Sequence, residues 1–311
     1  MAKPADAWPK LTVLFLASRP KFLVASATPV LIGSAAGYAV AGTFQPYLFV
    51  LALLAMIALH AGANITNDYF DHISRNDWVN ENPTPFSGGR RFIQQGLLSP
   101  GATLYTALAS LAVGSAIGLV IVLVTRSLVI LLLGLAGLLG GFFYTARPIQ
   151  LGYHRIGELV IALLFGLFPV YGSYYLQTRA IDTAPLSAAL VVSILIFLVI
   201  LVNEFADVKA DAAVNKRTLI VWFGISACVW IYRIPLAVSF LIAGIMLFHR
   251  MTFFAGLFYL LTLPLAVLAM RSVNRHDLAK LGQSRPSQLT VILHTVGTLA
   301  LAAGLLTSGL R

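Results

Sequence analysis

Charge is what this sequence most lacks. Of its 311 residues, 10% are Asp, Glu, Lys or Arg and 59% are hydrophobic, whereas a soluble domain carries roughly 25% charged residues. So little charge cannot cover a water-facing surface. Acids are scarcer still, 11 in the whole chain. The single cysteine, Cys228, excludes an intrachain disulfide and a cysteine-built zinc or iron–sulfur centre; within an apolar run it reads as a small buried hydrophobe. No Gly/Ser-rich linker or polar block divides the chain, which predicts one transmembrane domain over 1–311. Met1 to Lys21 lacks a small-residue cleavage site and reads as mature sequence and not a signal peptide. The net charge of +10 has no basic stripe with interleaved aromatics behind it, so nucleic acid is not an expected partner.

What the chain does have is apolar runs of about 20 residues, the length that crosses a bilayer. The pattern predicts an all-α integral membrane protein of about nine spans: Phe22–Ala41, Tyr47–Asn67, Thr103–Val124, Leu128–Tyr144, Gly157–Leu176, Leu186–Phe205, Cys228–Phe248, Thr252–Met270 and Leu289–Ser308. With these spans, sixteen of the 21 Lys and Arg fall on one side, among them Lys3, Lys10, Arg19, Arg75, Arg147, Arg217 and Lys280. Arg126, Arg179, Arg250 and Arg311 fall on the other. The bias places the N-terminus and the loops after even-numbered spans in the cytoplasm, with the long polar connections 70–102 and 206–227 there too.

Seven of the 11 acids gather in two clusters at the cytoplasmic ends of the second and sixth spans. The first reads Asn67-Asp-Tyr-Phe-Asp71, with Asp77 and Glu81 following; the second reads Asn203-Glu-Phe-Ala-Asp207, with Asp211 following. In each, Asn and Asp four residues apart share one helical face. Carboxylates at a helix C-terminus face the negative end of the macrodipole, and ionisable groups near the membrane interior are costly. Two such clusters facing one cavity call for divalent cation. Oxygen-only donors suit magnesium, which completes its coordination with water and substrate phosphate. The paired clusters therefore point to a diphosphate held through metal. Asp68, Glu81 and Glu204 point off the Asn/Asp face or lie further out, and read as supporting or solvated. Lys209, between Asp207 and Asp211, serves either the diphosphate or the charge balance.

These residues carry a resemblance to the UbiA superfamily of intramembrane prenyltransferases. It extends over nearly the whole chain, from Arg19-Pro20 through both acidic motifs to Lys216-Arg217-Thr218-Leu219. The six-residue step from Asp71 to Asp77, Tyr144-Thr145-x-x-Pro148, the segment 152–158 and Gly172-x-Tyr174-Tyr175 resemble the branch that prenylates 1,4-dihydroxy-2-naphthoate for menaquinone. Two segments depart from that branch, the loop 81–90 and Ala146-Arg147 in place of Gly-Pro, so hydroxybenzoate- and homogentisate-type acceptors stand beside naphthoate.

The resemblance implies a bundle around a central cavity, in the cell (inner) membrane, with a polar cap toward the cytoplasm and an apolar wall open to lipid. Asn67, Asp71, Asp77, Asn203, Asp207 and Asp211 would hold magnesium and, through it, a polyprenyl diphosphate. Arg147 would add positive charge. Tyr144 and Tyr174 would face the allylic cation, unless they serve as interfacial anchors. A transporter with acidic helix-end sites is the rival from another class, and a membrane phosphotransferase is a second.

Overall fold

The structure, a computed structural model, describes residues 9–278 and 284–310. Lys3, Lys280 and Arg311, which entered the charge alternation, lie outside the described residues. Within them every regular element is helical: α1 (Lys10–Ala17), α2 (Val24–Ala41), α3 (Pro46–Ile73), α4 (Asn76–Val79), α5 (Pro100–Thr125), α6 (Leu128–Phe142), α7 (Gly157–Ala162), α8 (Phe168–Thr178), α9 (Leu186–Ala213), α10 (Leu219–Met246), α11 (Phe253–Leu260), α12 (Leu263–Ser272), α13 (Arg275–Leu278) and α14 (Arg285–Gly309).

Among the described residues, seven helical stretches are long and apolar enough to cross a membrane: α2, α3, α5, the run from α7 through α8, α9, α10 and α14. The pair α11 and α12, bent by 49°, makes an eighth if counted as one span. By length, eight of the expected nine spans are thus reached. The remaining one, Leu128–Tyr144, becomes α6, a helix of 15 residues and about 22 Å, short of a hydrocarbon core of about 30 Å. The helix closes at Phe142, where the chain turns toward Pro148, a residue that disfavours helix ahead of it.

Two helices overrun the membrane instead. At 28 residues each, α3 and α9 reach about 42 Å, so each carries its acidic motif out of the core on continuous helix. The hydropathy pattern ends these spans at Asn67 and Phe205, which would put the outer acids in loops; the helices continue through Asp71 and Asp211. An Asn-x-x-x-Asp-x-x-x-Asp run on one helix presents all three side chains on one face.

Packing explains why these helices converge. The α2 helix sits against α8 and α14, α3 along α5, and α9 against α10. Small residues permit the close approaches: a Cβ at Gly33 would fall 2.1 Å from the Val170 carbonyl oxygen, and one at Gly304 would fall 2.3 Å from the Ala255 nitrogen. Val191, Leu195, Leu198 and Leu201 of α9 are fully buried, while Leu123 of α5 and Leu241 of α10 are exposed, the pattern of a bundle whose outer surface meets lipid.

Two irregularities shape the interior. Between α7 and α8, Leu163–Leu167 forms a π-turn, an inserted residue that re-aims side chains and here turns Phe165 toward His60, ring centroids 4.5 Å apart. In α10, Gly224 adopts φ 74°, ψ 168°, a backbone conformation essentially reserved for glycine. It sets off the first turn from the apolar span that follows.

Candidate active site

The emergent ends of α3 and α9 meet around a cavity of about 170 Å³. Asn67 and Asp71 face it from α3, Asp77 from α4, and Asn203, Glu204 and Asp207 from α9. Arg19, Tyr144 and Lys216 complete its polar wall. Asp211, fully buried behind it, is tied in by Lys216 Nζ at 3.2 Å and by Asn76 Nδ2, which donates to it at 2.8 Å.

Asp68, Asp71 and Asp207 are each positioned by a named donor. Asn67 Nδ2 donates to Asp71 Oδ2 at 2.9 Å, one turn along α3. Arg19 donates to Asn67 Oδ1 at 3.1 Å and forms an ion pair with Asp68. The connection after α4 folds over the mouth: Asn80 Nδ2 donates to Asp207 Oδ1 at 2.8 Å and the Gly88 amide to Asp207 Oδ2 at 3.1 Å. At Gly89 (φ 67°) a Cβ would lie 3.0 Å from Asp77 Oδ2 and 3.1 Å from Asp68 Oδ1. This loop therefore bridges the first acidic motif to the second, and it requires glycine to do so.

The arrangement is short of positive charge. Asp77 is pushed up to about 8 by burial first and then by the neighbouring Asp71 and Asp68. Burial works against the charge on Lys216, yet Asp211, Asp71, Tyr144 and Glu204 outweigh it and raise its pKa. Arg19 is likewise buried and nonetheless raised, by Asp68, Asp77 and Asp71. Two bases do not neutralise the acids around them. Buried oxygens without a partner remain on Asp71 (Oδ1), Asp77 (Oδ1), Asn203 (Oδ1) and Asp211 (Oδ2), and unsatisfied buried oxygens of this kind suit a cation ligand. Among the described residues no three His, Cys, Asp or Glu side chains form a ready-made single-ion cluster. The donor set, carboxylate and amide oxygen in ones and twos, fits a hard divalent cation that takes its other ligands from water or phosphate.

Below the polar chamber lies a second cavity of about 310 Å³, walled by α3, α5, α6 and α8 and almost wholly apolar. Both cavities are lined by His60, Ala63, Gly141 and Phe165. His60 is held at this neck by Ser26, Oγ to Nδ1 2.9 Å. A polar head and a long apolar tail would thus occupy one continuous space.

Of the residues singled out from the sequence, Asn67, Asp71, Asp77, Asn203, Asp207 and Tyr144 line the chamber, with Asp211 behind it. Three are placed elsewhere. Arg147 is exposed in the loop after α6 and lines a different recess. Lys209 is exposed on the outer side of α9, because position 209 is out of phase with 207 and 211 on the helix. Tyr174 is fully buried and donates to Asp182 Oδ2 at 2.7 Å, beyond the far end of α8. Asp68 and Glu204, read as supporting or solvated, are both buried, and Glu204 faces the chamber. Sequence reasoning missed Asn76, Asn80, Lys216 and His60. Lys216 carried a signal, five residues past Asp211; Asn80 carried none, since its contact spans 127 residues.

Fold and site together describe a membrane-embedded chamber for an anionic head and an apolar tail. The sequence matches the UbiA prenyltransferase family over residues 26–292, and the chain belongs to that family. It is a multi-pass membrane protein and a prenyltransferase. It is 32% identical over 235 residues to the 1,4-dihydroxy-2-naphthoate octaprenyltransferase of Mycobacterium tuberculosis, covering 75% of this chain and 76% of that one. The same enzyme of Haemophilus influenzae is 29% identical over 305 residues, 96% of this chain and 95% of the relative. In three dimensions the chain resembles a UbiA homolog from Archaeoglobus fulgidus solved bound to DMAPP and Mg2+, with a TM-score of 0.67 at 15% identity, covering 93% of this chain and 99% of that chain.

Proposed function

We propose that this chain, as a single membrane domain, transfers a polyprenyl group from its diphosphate to 1,4-dihydroxy-2-naphthoate in menaquinone biosynthesis. The observation that carries the reading is the junction of the two cavities at His60 and Phe165, which sets an acid-lined head site directly above an apolar channel. The naphthoate acceptor is favoured by the two relatives of that name, one of them matched over nearly its full length. Acceptors of hydroxybenzoate or homogentisate type are the second reading, supported by the departures at 81–90 and 146–147.

Asn67, Asp71, Asp77, Asn203, Asp207 and Asp211 would hold magnesium. When bound, it supplies positive charge that binds the diphosphate and stabilises it as a leaving group. Arg19 and Lys216 keep their charge in the buried wall and add to the pull on the departing diphosphate as the allylic carbon–oxygen bond breaks. The loop 80–91 covers the mouth and excludes water, which would otherwise capture the allylic cation. Tyr144 presents an aromatic ring at the chamber wall, where a cation is stabilised by a π-face. The ring carbon of the naphthoate that bears the carboxylate attacks, and carbon dioxide leaves as aromaticity returns. The Lys/Arg asymmetry of the loops supports an active site on the cytoplasmic face of the cell membrane.

The test is turnover by the purified protein in lipid, with a polyprenyl diphosphate, magnesium and each acceptor in turn, the product read by mass spectrometry. Prenylated naphthoquinol that disappears with EDTA is expected. A product formed from hydroxybenzoate or homogentisate alone would move the acceptor, and diphosphate release unaffected by EDTA would remove the metal assignment.

A further inference from the structure

Beside the acidic chamber, and sharing no lining residue with it, the polar face holds a second recess of about 630 Å³. Three loops wall it: the turn from α3 into α4 brings Arg75, the loop after α6 brings Arg147, Gln150 and His154, and the turn after α9 brings Arg217. No carboxylate lines it. The ion pairs seen among the described residues involve Arg19 and Lys216, so these three guanidinium groups stand without a counter-charge. In a chain with 10% charged residues, three unpaired arginines converging from three separate segments on one hollow is a built arrangement.

The walls are fixed in place. The Arg155 amide donates to the Arg217 carbonyl at 2.8 Å and the Arg217 amide to the Tyr153 carbonyl at 3.2 Å, stitching the second loop to the third. Each wall also contains a non-glycine residue in the left-handed region, Arg75 (φ 67°), Gln150 (φ 49°) and Asn215 (φ 57°), a conformation that persists where the surroundings over-determine it. The third turn serves both sites. Lys216 points inward to Asp211 at 3.2 Å, while its neighbour Arg217 lines the outer recess.

We infer that this recess is a binding site for a phosphate-bearing anion, distinct from the metal-dependent head site and needing no metal. Planar guanidinium forks match phosphate oxygens in pairs, and the recess supplies by itself the positive charge that the acidic chamber lacks. Two sources share this chemistry on a membrane face: free diphosphate, and the headgroup of an anionic phospholipid. Either would bear on the turn that carries Lys216.

The inference is tested without turnover, so it stands apart from the proposed reaction. The full chain is placed in phosphatidylcholine nanodiscs with EDTA, and inorganic diphosphate is titrated while thermal unfolding is followed. In parallel, phosphatidylglycerol-containing nanodiscs are stripped of lipid and retained lipid is read by native mass spectrometry. Saturable stabilisation by diphosphate assigns the site to the free anion; selective retention of phosphatidylglycerol assigns it to the headgroup. In either case Arg75→Gln with Arg217→Gln weakens binding about tenfold or more, the scale of lost charge-assisted hydrogen bonds. Gln150→Glu, which keeps every arginine and adds one negative charge, weakens it in the same direction should the double variant fold poorly. Binding by wild type and the folded variants that is indistinguishable in both arms, or wild type that takes up neither probe, overturns the site.

Discussion

Asn80 donates to Asp207 at 2.8 Å across 127 residues of sequence, and that bond joins the covering loop to the second acidic motif. With the Gly88 amide on the other oxygen, Asp207 is aimed from above. Asn80→Ala removes a hydrogen bond to a carboxylate and is expected to lower kcat/KM for the prenyl diphosphate roughly 10- to 100-fold. Asp71→Ala and Asp207→Ala are expected to cost roughly 100-fold or more, since each removes charge that acts on the leaving group. All three should keep the wild-type melting temperature to within a few degrees. Full activity in Asp71→Ala or Asp207→Ala would sink the site assignment.

Gly89 offers a sharper probe of the same loop. Its φ is 67°, and a Cβ would meet carboxylate oxygens of both Asp77 and Asp68 at 3.0–3.1 Å. Gly96 has nearly the same φ, 71°, with open space where a Cβ would go. Replacing either by Ala costs about 1–2 kcal/mol of backbone strain. Gly89→Ala alone should also raise the magnesium concentration needed for half-maximal activity, because it displaces Asp77. Equal magnesium requirements in the two variants would show that the loop does not shape the metal site.

Much of this was legible in the sequence, for a physical reason. Acids are so costly near lipid that their placement carries information, and the four-residue step from Asn67 to Asp71 and from Asn203 to Asp207 fixes a shared helical face wherever the helix ends. The termini of α3 and α9 were less legible. Hydropathy drops at Asn67 and Phe205, but the helices continue for about two turns to Ile73 and Ala213. The fourth expected span, Leu128–Tyr144, is a helix of only 15 residues, because a run of apolar residues fixes composition and not helix length. Arg147 and Lys209 are placed away from the chamber for other reasons: Arg147 lies in a loop with no periodicity to say which way it faces, and Lys209 lies on a helix that runs past Phe205, out of phase with Asp207 and Asp211. Asn80 and His60 depend on tertiary contacts that no local pattern encodes.

Asp77 gives the chamber a pH signature. Burial, then Asp71 and Asp68, push it up to about 8 from an ordinary value of 3.8, so without metal it holds its proton at neutral pH. A folded pKa above the unfolded one means stability from this group is full below about pH 4 and is lost as pH rises through about 8. The metal-free melting temperature should therefore fall from pH 6 to pH 9. Magnesium requires the deprotonated form, so its apparent affinity should rise about tenfold per pH unit up to pH 8. Asp77→Asn should flatten both trends. Thermal unfolding with and without magnesium across this range is the measurement, and a magnesium effect independent of pH would contradict it.

The apolar cavity sets the last expectation, donor length. Gly118, Gly134 and Gly137 line it, and a Cβ at any of them would meet nothing within 4 Å; these glycines are open wall, with negative φ and no close helix contact to protect. Leucine at Gly137 is therefore tolerated by the fold and favoured over glycine by helix propensity, while its side chain fills space that the distal isoprene units would occupy. Excluding one five-carbon unit from apolar burial costs on the order of 3 kcal/mol, roughly 100-fold in kcat/KM. Gly137→Leu should retain activity with a two-isoprene donor and lose it with longer chains. Competition between short and long diphosphates, with products separated by mass, reads this directly. If the variant kept the wild-type preference for length, the tail would have to run elsewhere, and the continuity of the two cavities would not describe the substrate path.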